Sequence, residues 1–286
     1  MPTNSGSGSY TTWVNGKDAL FYGSGAQTYT ATESISVGDI HWSSAAAGFM
    51  LSSSGGKITV NGSITTDNPQ WFKLGGSFAG TFDVSDVLYF QIIGAATCDP
   101  GTEITLDDPA SLSQIVFWEG LTYTDFTDLS ININGQGDTF NLRHDGLDIG
   151  EVNGNAQFID NQNATANVTI QSLNPGVGAT SAGIGLFTAD AGDTINVTLG
   201  TGTHAFDIGD AGGAESNDQL NVTGSLTMDG TLNVTLLGSE ISAGETFDLF
   251  DASSIGGTFA AVNLPDISAD ALEGDASQLY VDGSIS

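Results

Sequence analysis

The sequence predicts an all-β fold of many short strands wound as stacked coils. Three observations carry that expectation. Apolar and polar residues alternate in segment after segment, Gly supplies 39 of the 286 residues, and Asn-Val-Thr units recur in the second half. Alternation places successive side chains on opposite faces of a strand. Glycine-rich breaks between short strands belong to all-β architectures. A degenerate repeat at intervals of about 20 to 30 residues marks a solenoid, where each coil leaves an apolar stripe for its neighbours to cover.

The strands follow from local patterning. In the stretch 57–65, Ile58 and Val60 share one face while Thr59 and Asn61 take the other. The stretches 129–134 and 194–199 alternate in the same way. Between them stand pairs that accept positive φ, such as Asn134-Gly135, Asp145-Gly146, Gly212-Gly213 and Asp229-Gly230. No window carries apolar residues at the helical spacing i, i+3, i+4, i+7. The best helical candidate, 110–114, is one turn at most. The Asn-Val-Thr units begin at 167, 196, 221 and 233. Their gaps of 29, 25 and 12 suit coils with variable loops, the last suiting a hairpin or half-coil near an end. A two-sheet sandwich would show similar strands, so periodicity alone leaves both architectures open.

Charge narrows the partners. Lys plus Arg number 4 against 34 Asp plus Glu, a formal charge of −30. Such a chain is repelled by nucleic acid and by anionic membrane surfaces. No segment approaches ~18 uninterrupted apolar residues, so membrane insertion by a helix is not expected. The single cysteine, Cys98, has no internal disulfide partner and reads as a buried, inert thiol. Residues 1–11 lack a basic start and an apolar core and read as a flexible leader.

Two stretches carry a family resemblance. Near the start stands Thr12-Trp13-Val14-Asn15-Gly16-Lys17-Asp18-Ala19-Leu20-Phe21, followed by Ile35-Ser36-Val37-Gly38-Asp39-Ile40 and Gly62-Ser63-Ile64-Thr65. Near the end stand Ala243-Gly244-Glu245-Thr246-Phe247-Asp248-Leu249-Phe250-Asp251, Gly257-Thr258-Phe259, Leu264-Pro265 and Leu279-Tyr280-Val281-Asp282-Gly283. The chain resembles bacterial surface proteins with autotransporter-associated β-strand repeats. The resemblance implies a right-handed parallel β-helix, extracellular or displayed at the bacterial cell surface. On that reading residues 12–237 form the coils, with an irregular aromatic-rich middle at about 75–160. Residues 238–286 supply closing coils and a cap, with Phe247, Leu249, Phe250, Phe259 and Leu264 as its apolar residues.

Candidate chemistry is sparse. Arg143-His144-Asp145 is the one cluster with a cation, a base and a carboxylate together. His41, His144 and His204 lack zinc-ligand spacing, and Cys98 has no evident His partner. The Gly- and Asp-rich stretch 209–220 offers Asp210, Asn217 and Asp218 as candidate calcium ligands, since Ca²⁺ takes hard oxygens from loops. Trp13, Trp42 and Trp71 are separated by equal gaps of 29 and are expected to line up on successive coils as a glycan-stacking surface. The leading expectation is a non-enzymatic extracellular structural or adhesive protein that assembles with copies of itself into fibres or a coat. The alternatives are a glycan-binding module using the Trp-rich half, and a polysaccharide-degrading enzyme centred on His144 and Asp145.

Overall fold

The alternating segments become strands, and the strands wind into a parallel β-helix. The computed structural model describes residues 14–23, 26–44, 48–67, 70–107, 113–134, 138–159, 165–176, 186–190, 192–210, 215–237, 241–268 and 272–286. No α-helix occurs among the described residues. Twenty-one strands hydrogen-bond into one sheet, beside a four-stranded and a two-stranded sheet. Two pairings are antiparallel: Thr203–Asp210 with Glu215–Asn217, and Phe247–Asp248 with Ser284–Ile285. The others described are parallel and join a coil to the next, which rules out facing antiparallel layers.

Each coil contributes to three faces. The first carries the rungs 27–31, 49–52, 71–75, 89–93, 114–117, 139–142, 156–159, 186–189, 219–221 and 250–251. The second carries 58–60 and 77–79, then 125–126, 148–149, 168–170, 195–199 and 226–227. The third carries 81–84, 103–106, 129–133, 151–154 and 172–175. It resumes at 203–209, 231–237 and 261–263. Successive partners on the first face are Phe49, Phe72, Phe90, Ile115, Phe140 and Phe158, so the coils are unequal in length. Among the described residues, pairing on the first and third faces runs without a break through 75–160, where the sequence departs from its own repeat, while the second face shows none between Cys98 and Asp125.

Like stacks on like in the interior. Phe49 lies 5.4 Å from Phe72, and Phe72 lies 5.6 Å from Phe90, ring centre to ring centre. Phe117, Phe140, Phe158 and Phe187 form a second run of rings at 5.5, 5.6 and 5.4 Å. All of these rings are fully buried, and they belong to one hydrophobic cluster running from Ala19 to Ile285. Burying each ring contributes about 1.5–3 kcal/mol, a gain no coil achieves without its neighbours.

The Asn-Val-Thr repeat is realised in part. Asn167 and Asn196 are register partners on the second face, and Asn196 Nδ2 donates to Asn167 Oδ1 at 3.0 Å. Asn221 lies on the first face and Asn233 on the third. The short gap between these two is therefore a step between faces of one coil, the half-coil alternative and not a hairpin. The closing segment packs over the last coil. Leu279 and Ile285 are buried, and Gly283 O accepts from Leu249 N at 3.1 Å and Phe250 N at 3.3 Å. Gly283 has φ +88°, and a Cβ there would meet Phe250 O at 1.9 Å, so only glycine fits.

Candidate functional site

The first face is unlike the other two in its charge. From rung 49–52 to rung 186–189 its strand segments contain no Asp or Glu, although the chain has 34. It carries Lys73, while the residues directly flanking its strands in sequence include Arg143 together with Asp138, Asp160 and Asp190. Outward positions on adjacent rungs read Trp71, Tyr89, Gln114, Thr139 and Gln157 along one column. The neighbouring column reads Lys73, Gln91, Val116, Asn141 and Ile159.

Aromatic rings hold both cations. Lys73 Nζ lies 4.7 Å from the Trp71 ring centre and 4.9 Å from that of Trp118. The Arg143 guanidinium lies 4.7 Å from the Trp118 ring. Each contact contributes about 0.5–1 kcal/mol at an exposed site and more where water is excluded. Neither cation makes an ion pair among the described residues, whereas Lys57 pairs with Asp99. Trp71 lies against the backbone of the preceding coil. A Cβ on Gly48 would meet Trp71 Cδ2 at 2.0 Å, so glycine makes room for the indole.

The same face concentrates polar atoms that have no partner. Gln91 Oε1, Thr139 Oγ1, Asn141 Oδ1, Arg143 Nε and Asn221 Oδ1 are buried without a hydrogen bond among the described residues. Asn141 is wholly buried and Gln91 is 6% exposed. Asn141 Nδ2 does donate to Gln114 Oε1 at 3.3 Å, but its oxygen does not accept. An unmet buried donor or acceptor costs about 1–3 kcal/mol, so a row of them is a feature that calls for a reason.

The sequence candidates fare unequally. Trp13 lies outside the described residues. Trp42 is 2% exposed and stacks on Phe49 and Phe72 at 5.9 and 5.5 Å, so its faces are taken by core rings and no sugar can stack there. Trp42 pairs in register with Thr66 and Trp71 with Tyr89, so the two tryptophans do not line up. One turn of the coil carries Ile40 only as far as Ile64, so the longer step from Trp42 to Trp71 overshoots onto another face. Trp71 alone of the three stands on the outward surface described above. Missing from the sequence set were Lys73, Gln91, Trp118, Asn141 and Arg143 as one group. Coils of unequal length hide their alignment, and only the paired register reveals it.

At the candidate calcium stretch, Asp210 pairs with Glu215 across a short antiparallel corner, and its side chain lies outside the described residues. Asn217 Nδ2 donates to Asp218 O at 2.9 Å and to Asp248 O at 2.6 Å. Asp218 is wholly buried, and its Oδ2 accepts from Asp207 N at 2.7 Å. These two side chains fix the backbone of the corner. Among the described residues no group of three or more His, Cys, Asp or Glu is placed to hold a metal.

The Arg143-His144-Asp145 cluster is split. Arg143 turns to Trp118, while Asp145 Oδ1 accepts from both Asn167 N and Asn167 Nδ2 at 2.8 Å, tying the turn to the next coil. His41 Nδ1 lies 2.9 Å from Thr65 Oγ1, and its Nε2 lies 3.2 Å from Asp67. His204 is wholly buried, with Leu173 N donating to Nδ1 at 3.2 Å and Nε2 donating to Gly200 O at 3.1 Å. Burial pushes the Cys98 thiol up to about 12, with the negative charge of Asp128 adding to the effect, so the thiolate needed for nucleophilic attack is scarce at neutral pH. Compared with family models, with curated proteins and with solved structures, the chain matches none.

Proposed function

We propose that this chain is a non-enzymatic structural or adhesive rod of the bacterial exterior, which joins end to end with copies of itself. The observation that carries the reading is where its greasy surface lies. Six large hydrophobic residues are exposed among those described, and four sit at the ends: Val14 (60%) and Leu20 (54%) in the first coil, Tyr280 (37%) and Val281 (70%) in the closing segment. The first strands, Lys17–Gly23 and Gln27–Ala31, each pair with one neighbour only among the described residues. An unpaired edge recruits other chains. The chain's charge of −30 opposes side-to-side contact, and the acidic closing segment makes end-to-end joining depend on salt as well. The sequence resemblance to autotransporter-associated repeat proteins and the scarcity of cysteine agree with an extracellular setting.

Ten rungs at about 4.8 Å give a single molecule an axis of about 45 Å. Small-angle scattering at low concentration is expected to return a rod of that length. Electron microscopy at high concentration, with and without calcium, is expected to show filaments that lengthen with salt as flank repulsion is screened. The double variant Leu20→Glu, Val281→Glu is expected to stay monomeric. A wild-type protein that remains monomeric at every concentration and salt level defeats the assembly reading.

A further inference from the structure

The orphaned polar atoms and the missing carboxylates of the first face coincide, and together they describe a ligand. Three of the five unpartnered atoms are carboxamide oxygens, on Gln91, Asn141 and Asn221, which ask for a hydrogen-bond donor. A fourth, Arg143 Nε, asks for an acceptor, and the Thr139 hydroxyl serves as either. Gln91 and Asn141 stand in one column, Thr139 and Asn221 in the column beside it, so the atoms form an elongated strip along the coil axis. At its end lie Trp71 and Lys73, and Trp118 flanks it at the rung between Gln91 and Asn141.

We infer that this strip binds a neutral, hydroxyl-rich polysaccharide laid along the coil axis. The half-buried column of Trp71, Tyr89, Gln114 and Gln157 meets the polymer first, and a rotamer change brings the enclosed oxygens of Gln91 and Asn141 to it. Sugar hydroxyls donate to the three carboxamide oxygens and accept from Arg143 Nε–H. A sugar hydroxyl does both at once, which an ammonium or a carboxylate cannot. Lys73 and Arg143 would attract an anion, but both sit over indole rings, and the carboxamide oxygens and the chain's charge of −30 oppose one, whereas an uncharged polymer meets no such barrier. The strip's strand segments hold no Asp or Glu, and Asp138, directly before Thr139, has its Oδ1 committed to Ser113 N at 2.9 Å. The polar atoms recur two and then three rungs apart, at about 10 and 14 Å, a spread that suits a polymer better than a single sugar. Lys73 and Arg143 lie over the rings of Trp71 and Trp118 and hold the two indoles beside the strip, so the polymer meets their edges and is recognised through the polar atoms. This inference does not depend on the end-to-end assembly.

The test is affinity electrophoresis of the full chain through gels holding a β-glucan, an α-glucan, a mannan or a galactan, with polygalacturonate and alginate as anionic counterparts. Calorimetry with oligosaccharides of the retarding polymer then gives dissociation constants. At least one neutral polymer is expected to retard the protein equally at low and high salt. Arg143→Ala and Asn141→Ala are each expected to weaken binding about tenfold. Thr169→Ala, on the second face, is expected to leave it unchanged. Arg143 is only partly buried, and thermal melting checks that its truncation leaves the fold intact even if Asn141→Ala does not. Retardation by none of the neutral polymers overturns the inference. So does binding only to the polyuronates with loss at high salt, or binding that survives both substitutions. Capture by immobilised copies of the chain that survives Leu20→Glu, Val281→Glu but is lost in Arg143→Ala, without binding to any neutral polymer, also overturns it by giving the face to a protein partner.

Discussion

The first and third faces use the same kind of side chain to opposite effect. On the third face Asn132, Asn153 and Asn174 stand on successive rungs. Asn153 Nδ2 donates to Asn132 Oδ1, and Asn174 Nδ2 to Asn153 Oδ1, both at 2.7 Å. The ladder is closed at each end. Asn132 Nδ2 donates to Glu103 Oε1, and Asn174 Oδ1 accepts from Ala205 N at 3.2 Å. On the first face the column reads Lys73, Gln91, Val116, Asn141, Ile159, with an apolar neighbour on each side of Asn141, and the Gln91 and Asn141 oxygens go without partners. Amides stabilise a coil when the register stands them beside polar partners, other amides included. Where the register sets them beside Val and Ile, their hydrogen-bonding capacity is left for something outside the fold.

The largest effect is expected from the core that backs the first face. Phe140 sits next to Asn141 on the strand Thr139–Leu142 and packs at 5.5 Å on Phe117 and 5.6 Å on Phe158. Phe140→Ala is expected to cost about 3–5 kcal/mol in urea unfolding, because the removed ring leaves a cavity between two coils. A loss below about 1 kcal/mol would mean that the first face is loosely backed, and that its unmet polar atoms reflect slack packing.

Next in size is the amide ladder itself. Asn153→Ala removes the middle rung and strands Asn132 Oδ1 and the facing hydrogens of Asn174. The expected cost is about 1–3 kcal/mol, measured in the same way. A change within about 0.5 kcal/mol would show that the third-face ladder adds nothing, and would erase its contrast with the first.

Much of this architecture was legible beforehand, and the limits have a physical cause. Alternation at 129–134 correctly placed Leu129, Ile131 and Ile133 inside with Ser130 and Asn132 outside, because a strand's side-chain period is fixed by backbone geometry. The stacking of Asn167 on Asn196 was legible because that coil keeps the repeat spacing of 29. The tryptophan alignment failed because the coils near Trp42, from Ile40 to Ile64 and from Phe49 to Phe72, are shorter than the gap between the tryptophans. Which face a residue occupies depends on the sum of all loop lengths before it, and loops tolerate insertions at little cost. The tryptophan and amide strip was illegible for that reason, since the coils that bring its members together change length from one to the next.

A smaller effect, on pH dependence, separates a used polar group from an unused one. His204, at the edge of the third face, has both ring nitrogens committed to the backbone of the interior. Burial holds its pKa below the ordinary value, partly offset by the Gly200 carbonyl and Asp229. The unfolded chain therefore takes up the proton first. The stability that neutral His204 supplies is complete above its unfolded pKa of about 6.5 and declines as pH falls through that value. Falling pH also relieves carboxylate repulsion, so the comparison needs a non-titrating partner. Between about pH 7.5 and 5.5 the wild type is expected to lose stability relative to His204→Gln. Parallel pH profiles for the two proteins would show that the imidazole titrates alike in the folded and unfolded chain.

The smallest expected effect is the most telling for the first face. Asn141→Leu removes a wholly buried carboxamide whose oxygen has no partner, and replaces it with a side chain of similar volume between Val116 and Ile159. One hydrogen bond to Gln114 is lost, and one buried, unmet acceptor disappears. The two effects are of similar size and opposite sign, so stability is expected to change by no more than about 0.5 kcal/mol, in either direction. Asn153→Leu on the third face is expected to cost several times more, because there both sides of the amide are used. If the two leucine variants lose equal stability, the first-face amide supports the fold as fully as its third-face counterpart, and the case for an external partner on that strip falls with the contrast.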